Sequence, residues 1–194
     1  MTEAAQMVLE RPERELVAAC QRGEREAFRE LFETYKNTVY SIALRYSGEP
    51  SAAMDIAQDT FVKLFSSIRD FRGDAAFETW IYRLVVNSCL DQRRRTRRLR
   101  PLAPEVAGSL RAAGDSLAEV LRSEVAGSVR NAVERLTPDL RMVVVLRYTE
   151  GLSYDEIAEV LGCAPGTVAS RLNRAHKYLE RRLSYLVKKG GSDV

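Results

Sequence analysis

Residues 151–182, GLSYDEIAEVLGCAPGTVASRLNRAHKYLERR, read as two helices joined by a short turn. Ser153 stands at an N-cap with Glu156 three residues later, the capping-box pair, and Leu152 and Ile157 flank the cap as a hydrophobic staple. The first helix therefore begins at Tyr154. Ile157, Val160 and Leu161 follow at helical spacing, and Gly162 can take the left-handed conformation that ends a helix. The turn has the length a helix-turn-helix requires. In the second helix Val168, Leu172, Ala175 and Leu179 form an apolar stripe, while Thr167, Ser170, Arg171 and Arg174 fall on the opposite face. Short hydroxyls and arginines suit phosphates and guanine edges in a major groove. Lys177, Arg181 and Arg182 extend the positive charge, so duplex DNA is the first candidate ligand. The alternative is a solvated basic face on a core helix. Ala164 is a poor cap for the helix that Pro165 opens, which predicts an irregular first turn.

The chain has 194 residues, 45% hydrophobic and 29% charged, enough apolar content for two small cores. Its net charge is only +3, so a nucleic-acid surface must arise from where the charge sits. Arg93, Arg94, Arg95, Arg97, Arg98 and Arg100 form one basic run, and the last helix forms another. No apolar run reaches membrane-spanning length, and the polar, acidic N-terminus does not resemble a signal peptide, so a cytoplasmic protein without membrane insertion is expected. Cys20, Cys89 and Cys163 are distant from one another, and His176 is the only histidine. Reduced thiols are expected, with no metal or other cofactor.

The helical period runs through nearly all of the chain, which predicts an all-α fold of two small helical domains joined by a flexible linker. The expected boundaries are a disordered extension at 1–12, a four-helix bundle at 13–98, a linker at 99–124, a helix-turn-helix domain at 125–187 and a tail at 188–194. In the bundle, Phe28, Leu31, Phe32, Tyr35, Val39, Ile42, Ala43 and Tyr46 should point inward from the second helix. Ile56, Ala57, Phe61, Leu64, Phe65 and Ile68 should do so from the third. The third helix shows Asp55, Gln58, Asp59 and Lys63 on its other face. A turn-rich connector around Gly73 leads to a fourth helix that buries Phe77, Trp80, Ile81, Leu84, Val85 and Ser88. Fully extended, the linker could reach about 80 Å, on the order of two turns of B-DNA.

Tyr82, Arg83, Asn87, Arg94 and Arg95 lie off the apolar stripe of the fourth helix, near the aromatic connector. Aromatic rings interleaved with arginines and an asparagine suit unpaired bases, which stack and expose their pairing edges. Aromatics at helical spacing are nevertheless core residues far more often than base platforms.

Two longer strings are more specific. DIAQDTFVKLF at 55–65, followed by FRGDAAFETWIYRLVVNSCLDQRRR at 71–95, closely resembles region 2 of the bacterial extracytoplasmic-function sigma factors of the sigma-70 family. GLSYDEIAEVLGCAPGTVASRLNRAHKYL resembles region 4 of the same family, in the family's order. The resemblance covers 15–183. It implies a promoter-specificity subunit of RNA polymerase that docks the beta-prime clamp helices through Asp55, Gln58, Asp59 and Lys63, and also meets the beta flap. It further implies capture of melted −10 bases by Phe71, Arg72, Gly73, Asp74 and Phe77 of the connector, with Trp80, Tyr82, Arg83, Asn87, Arg94 and Arg95 of the fourth helix. Thr167, Ser170, Arg171, Arg174 and Lys177 would then read the −35 duplex, and an anti-sigma factor would hold the protein inactive. One departure is the proline of Cys163-Ala164-Pro165, displaced by one position from the family's usual place.

A stand-alone helix-turn-helix repressor or activator, binding an operator as a dimer, is the competing reading. No heptad seam pairs two chains here, so a monomer is expected outside complexes. Enzymatic function finds no clustered nucleophile, metal set or Gly-rich phosphate loop.

Overall fold

A computed structural model describes the backbone of residues 12–99 and 117–190, with side chains at 12–95 and 125–184. Residues 1–11 of the expected extension, 100–116 of the linker and 191–194 of the tail lie outside the described residues. Every described element is helical, and α1 to α4 and α5 to α8 make up two units.

The first unit begins with α1 (Glu13–Gln21), which starts on the Pro12 carbonyl, an acceptor for Glu15 and Leu16 N–H. It ends at Gly23, whose φ of 87° is left-handed. α2 (Arg25–Ser47) meets its neighbours through rings: Phe28 on Phe65 at 5.1 Å, Phe32 on Phe61 at 4.7 Å and Tyr35 on Phe77 at 5.9 Å. α3 (Pro50–Ser67), a 3-10 turn (Ile68–Asp70) and α4 (Phe77–Leu99) complete the unit, with α3 packed on α4. Ile56, Leu64, Ile68 and Ile81 are fully buried, each contributing about 1.5–3 kcal/mol relative to exposure. Thr60, the buried polar residue of α3, satisfies its hydroxyl on the Ile56 carbonyl at 2.7 Å.

Two rings expected inside are not sealed there. Phe32 is 38% and Phe65 42% exposed, because the apolar sector of each helix is wider than the surface its neighbours cover. Phe28, Tyr35, Trp80 and Leu84 are only half-buried, and Val86 and Cys89 take core places on α4 instead.

In the second unit α5 (Leu117–Glu134) starts eight residues before the expected boundary at 125. The stretch LAEVLRSE is rich in strong helix formers, and the glycines that suggested a linker lie upstream of it. α6 (Pro138–Tyr148) begins with Thr137 as N-cap and Pro138 in its first turn, and buries an unbroken run from Met142 to Leu146. α7 (Tyr154–Leu161) and α8 (Pro165–Gly190) form the helix-turn-helix, and α5, α6 and α7 all pack on α8.

Candidate nucleic-acid interfaces

The start of α7 carries both halves of the capping box. Glu156 N–H donates to Ser153 Oγ at 3.2 Å, and Ser153 N–H donates to Glu156 Oε2 at 2.7 Å. The Ser153 hydroxyl, and then the Ser153 backbone N–H, hold the Glu156 carboxyl below its ordinary pKa. At the other end Gly162, at φ 61°, makes a Schellman closure: Cys163 N–H donates to the Ala158 carbonyl at 3.0 Å and Gly162 N–H to that of Glu159 at 3.3 Å. The first turn of α8 is tightened, since the Ala164 carbonyl accepts from Thr167 N–H at 2.8 Å and from Val168 N–H at 3.4 Å. Here the cap lacks a side-chain acceptor and the backbone compensates.

With both ends of the turn fixed, the faces of α8 are set. Val168, Leu172 and Ala175 are fully buried, and Leu179 is half-buried. Ser170, Arg174 and Lys177 are exposed, with Thr167 and Arg171 half-buried on the same side. Ser170 Oγ donates to the Thr167 carbonyl at 2.9 Å, and Arg174 Nε donates to the Ser170 carbonyl at 3.3 Å. A guanidinium held through Nε still presents its two Nη groups as a fork, the geometry that reads guanine or phosphate. The scaffold behind this face is tied by Arg147, which donates to the Leu152 carbonyl at 2.8 Å and lies 5.5 Å over the Tyr154 ring.

In the first unit, the connector between the 3-10 turn and α4 is anchored by an aromatic cluster. Phe71, Phe77 and Trp80 stand 5.2 to 5.4 Å apart, and Tyr35 reaches Phe77 from α2. Gln21 of α1 pins the same segment, its amide nitrogen donating to the Ile68 and Phe71 carbonyls at 3.0 and 2.9 Å. Nothing in the sequence pattern marks Gln21 for this task. Beyond the anchor the tip Arg72, Gly73 and Asp74 is exposed, with Gly73 at φ 77°.

From this tip runs a stripe on α4. Trp80, Arg83, Asn87 and Arg94 follow at steps of three, four and seven residues, which places them on one helix face, none of them sealed in the core. Tyr82 does not belong with them. It is 5% exposed on the core side, with its hydroxyl donating to Glu78 Oε1 at 3.0 Å, and so cannot stack on a base. Arg95 is exposed, and its charge helps to hold the Asp59 carboxyl of α3 below its ordinary pKa.

The polar face expected of α3 divides in two. Asp55 and Gln58 are exposed and share their side with Met54 and Val62, each 61% exposed, and with Phe65. Spacing places Phe65 in the core stripe and leaves Met54 and Val62 outside it, so the apolar character of this side is not legible in the sequence. Asp59 and Lys63 instead face α4: Lys63 Nζ lies 2.9 Å from Asp59 Oδ2, 3.0 Å from Asp91 Oδ2 and 3.2 Å from Ser88 Oγ. Burial pushes the Asp59 carboxyl up, but Lys63, Ser88 and Arg95 outweigh it and hold the pKa below its ordinary value. For Lys63 burial works downward, and Asp59 with Asp91 reverses it, leaving the ammonium pKa raised.

Cys20 and Cys89 are buried, and burial pushes the Cys89 thiol up to about 12; Cys163 is half-buried beside the helix-turn-helix turn. No cluster of metal-ligating side chains occurs among the described residues, and no described helix is long and apolar enough to cross a membrane.

The architecture defines a two-unit, all-helical protein whose second unit is a helix-turn-helix. Residues 31–99 match the family description Sigma-70 region 2, and residues 126–179 match Sigma-70, region 4. The chain is 35% identical to the ECF RNA polymerase sigma-E factor of Haemophilus influenzae, over 89% of this chain and 95% of that one. It is 31% identical to the RNA polymerase sigma-H factor of Pseudomonas aeruginosa, over 94% and 99%. Among solved structures, CnrH in complex with the cytosolic domain of CnrY aligns with a TM-score of 0.64 at 27% identity, covering 89% of this chain and 97% of that one. The chain belongs to the extracytoplasmic-function sigma factors of the sigma-70 family. It is a promoter-specificity subunit of RNA polymerase and not itself an enzyme.

Proposed function

We propose that this sigma factor divides promoter recognition between the connector with its α4 stripe, which captures melted −10 bases, and the outer face of α8, which reads the −35 duplex. The observation that carries the reading is the stripe of half-buried Trp80 and Arg83 with exposed Asn87 and Arg94, aligned behind the ring-anchored tip Arg72, Gly73 and Asp74. Extruding a base costs a few kcal/mol of stacking. Stacking on an aromatic side chain returns about 1–3 kcal/mol per base. The half-buried Trp80, held by Phe71 and Phe77, supplies such a ring without having to be ordered first. Asn87 offers both a donor and an acceptor to a base edge, and the arginines meet the phosphates.

On α8, Thr167, Ser170, Arg171, Arg174 and Lys177 contact the −35 element. Core polymerase docks on the α3 side formed by Asp55 and Gln58 with Met54, Val62 and Phe65, where an apolar patch is ringed by polar groups. Clamp helices of beta-prime cover this side, and the beta flap takes the second unit. Residues 100–116 tether the units, so that the second DNA contact forms at high effective concentration. The protein works in the cytoplasm as a monomer outside its complexes. An anti-sigma factor covers its polymerase and DNA surfaces; that CnrH is seen in complex with the cytosolic domain of CnrY supports a protein partner for a chain of this fold.

Size-exclusion chromatography with and without core polymerase tests this reading. Co-elution with core, and a monomer without it, is expected. A stable dimer that ignores polymerase would establish a stand-alone operator-binding regulator instead.

A further inference from the structure

Lys63 lies at the centre of a polar junction that polymerase docking alone does not explain. Its ammonium is held by one carboxylate of its own helix, Asp59 at 2.9 Å, and by two groups of α4, Asp91 at 3.0 Å and Ser88 at 3.2 Å. Three acceptors match the three donors of an ammonium. The second oxygen of Asp91 faces Arg94 at 3.7 Å, and Asp59 in turn feels Ser88 and Arg95. The lysine and both carboxylates are each 40% exposed or less, so solvent weakens the junction without dissolving it. Ser88, at 1% exposure, fixes the site in the α3–α4 seam.

The junction joins two surfaces of different use. Asp55, Gln58 and Val62 sit on the outer side of α3, while Asn87 and Arg94, close in sequence to Ser88 and Asp91, sit on the base-facing stripe of α4. We propose that Lys63 is a positioning residue, a clasp that holds the base-capturing face of α4 in register with the polymerase-docking helix, rather than a contact to polymerase. This rests on the reading of α4 given above. Preorganisation explains why such a clasp matters: a stripe that must be ordered during melting gives back less of the stacking energy that opening needs.

The test uses the full chain assembled with core polymerase, with Lys63→Met, Lys63→Arg, Asp91→Asn and Asn87→Ala compared on a duplex promoter and on one premelted across the −10 element. Lys63→Met should bind core polymerase within about twofold of the unaltered chain, yet form open complexes on duplex DNA about threefold to tenfold more slowly. The premelted template should lose less, and Lys63→Arg should recover most of the rate. Asp91→Asn, which leaves the Lys63 and Asp59 pair intact, should reproduce the defect, and it replaces Lys63→Met in the comparison if that variant does not fold. A loss of core binding with normal opening by Lys63→Met would make Lys63 a polymerase contact and overturn the clasp. Equal losses on both templates, or no recovery with arginine, would reduce it to general stability and also overturn it. Normal opening by Lys63→Met beside a defective Asn87→Ala overturns the clasp alone. Normal opening by both overturns the reading of α4 and the clasp with it.

Discussion

Arg171 and Arg174 stand on one face of α8 but are held differently, Arg171 half-buried and Arg174 exposed with its Nε on the Ser170 carbonyl. Replacing either by alanine should weaken binding to a −35 duplex by about 1–3 kcal/mol where the guanidinium is bidentate to guanine, and less where it meets phosphate. Fluorescence anisotropy on matched and mismatched duplexes separates the two, and unchanged affinity in both variants would rule out this face. Gly162→Ala tests the turn. No atom lies within 4 Å of the added Cβ, so the penalty is that of a left-handed backbone alone, about 1–2 kcal/mol on a denaturant melt. Cysteine reactivity divides along burial: a thiol reagent on the native chain should label Cys163 first, with Cys20 and Cys89 reacting only on unfolding. Fast labelling of Cys89 in the native chain would contradict its packing and its raised pKa.

At the scale of elements, what sequence reveals depends on how local the cause is. The cap of α7, its glycine stop and the two faces of α8 follow from residues within a turn of one another, and these were legible. The division of the α3 face was not. Asp55, Gln58, Asp59 and Lys63 fall on one polar side by spacing, and only the approach of α4 separates the exposed pair from the clasped one. Tyr82 shows the same limit, since its place on the core side depends on the width of the α4 face that its neighbours cover. The clasp also fixes how the first unit responds to pH. Asp59, held below 3.8, stabilises the fold above that value and loses its contribution as pH falls through its folded pKa. Lys63, held above 10.5, stabilises below that value and loses its contribution as pH rises through its folded pKa. The contribution of Lys63 to thermal stability should therefore be level across neutral pH and fall at both extremes, by about 1 kcal/mol or less for a partly exposed network. In Lys63→Met the difference from the unaltered chain should shrink in acid and in strong alkali; a difference independent of pH would show that the pairs contribute nothing.

For the whole molecule, the helical class and the order of the two units were readable because each unit carries its own pattern, and region 2 and region 4 matches fall on 31–99 and 126–179. The start of α5 at Leu117 was not, because scattered glycines and prolines upstream masked a helix-forming stretch. The two units form one reader only if both DNA contacts are made by the same polymerase-bound chain. Run-off transcription with this chain and core polymerase on a promoter library, varied at the −35 and −10 elements, measures that directly. The expected result is transcription that needs the chain and selects both elements, with Asn87→Ala lowering output through the −10 element and Arg174→Ala through the −35 element. Transcription that ignores either element, or that proceeds equally well without the chain, would contradict it.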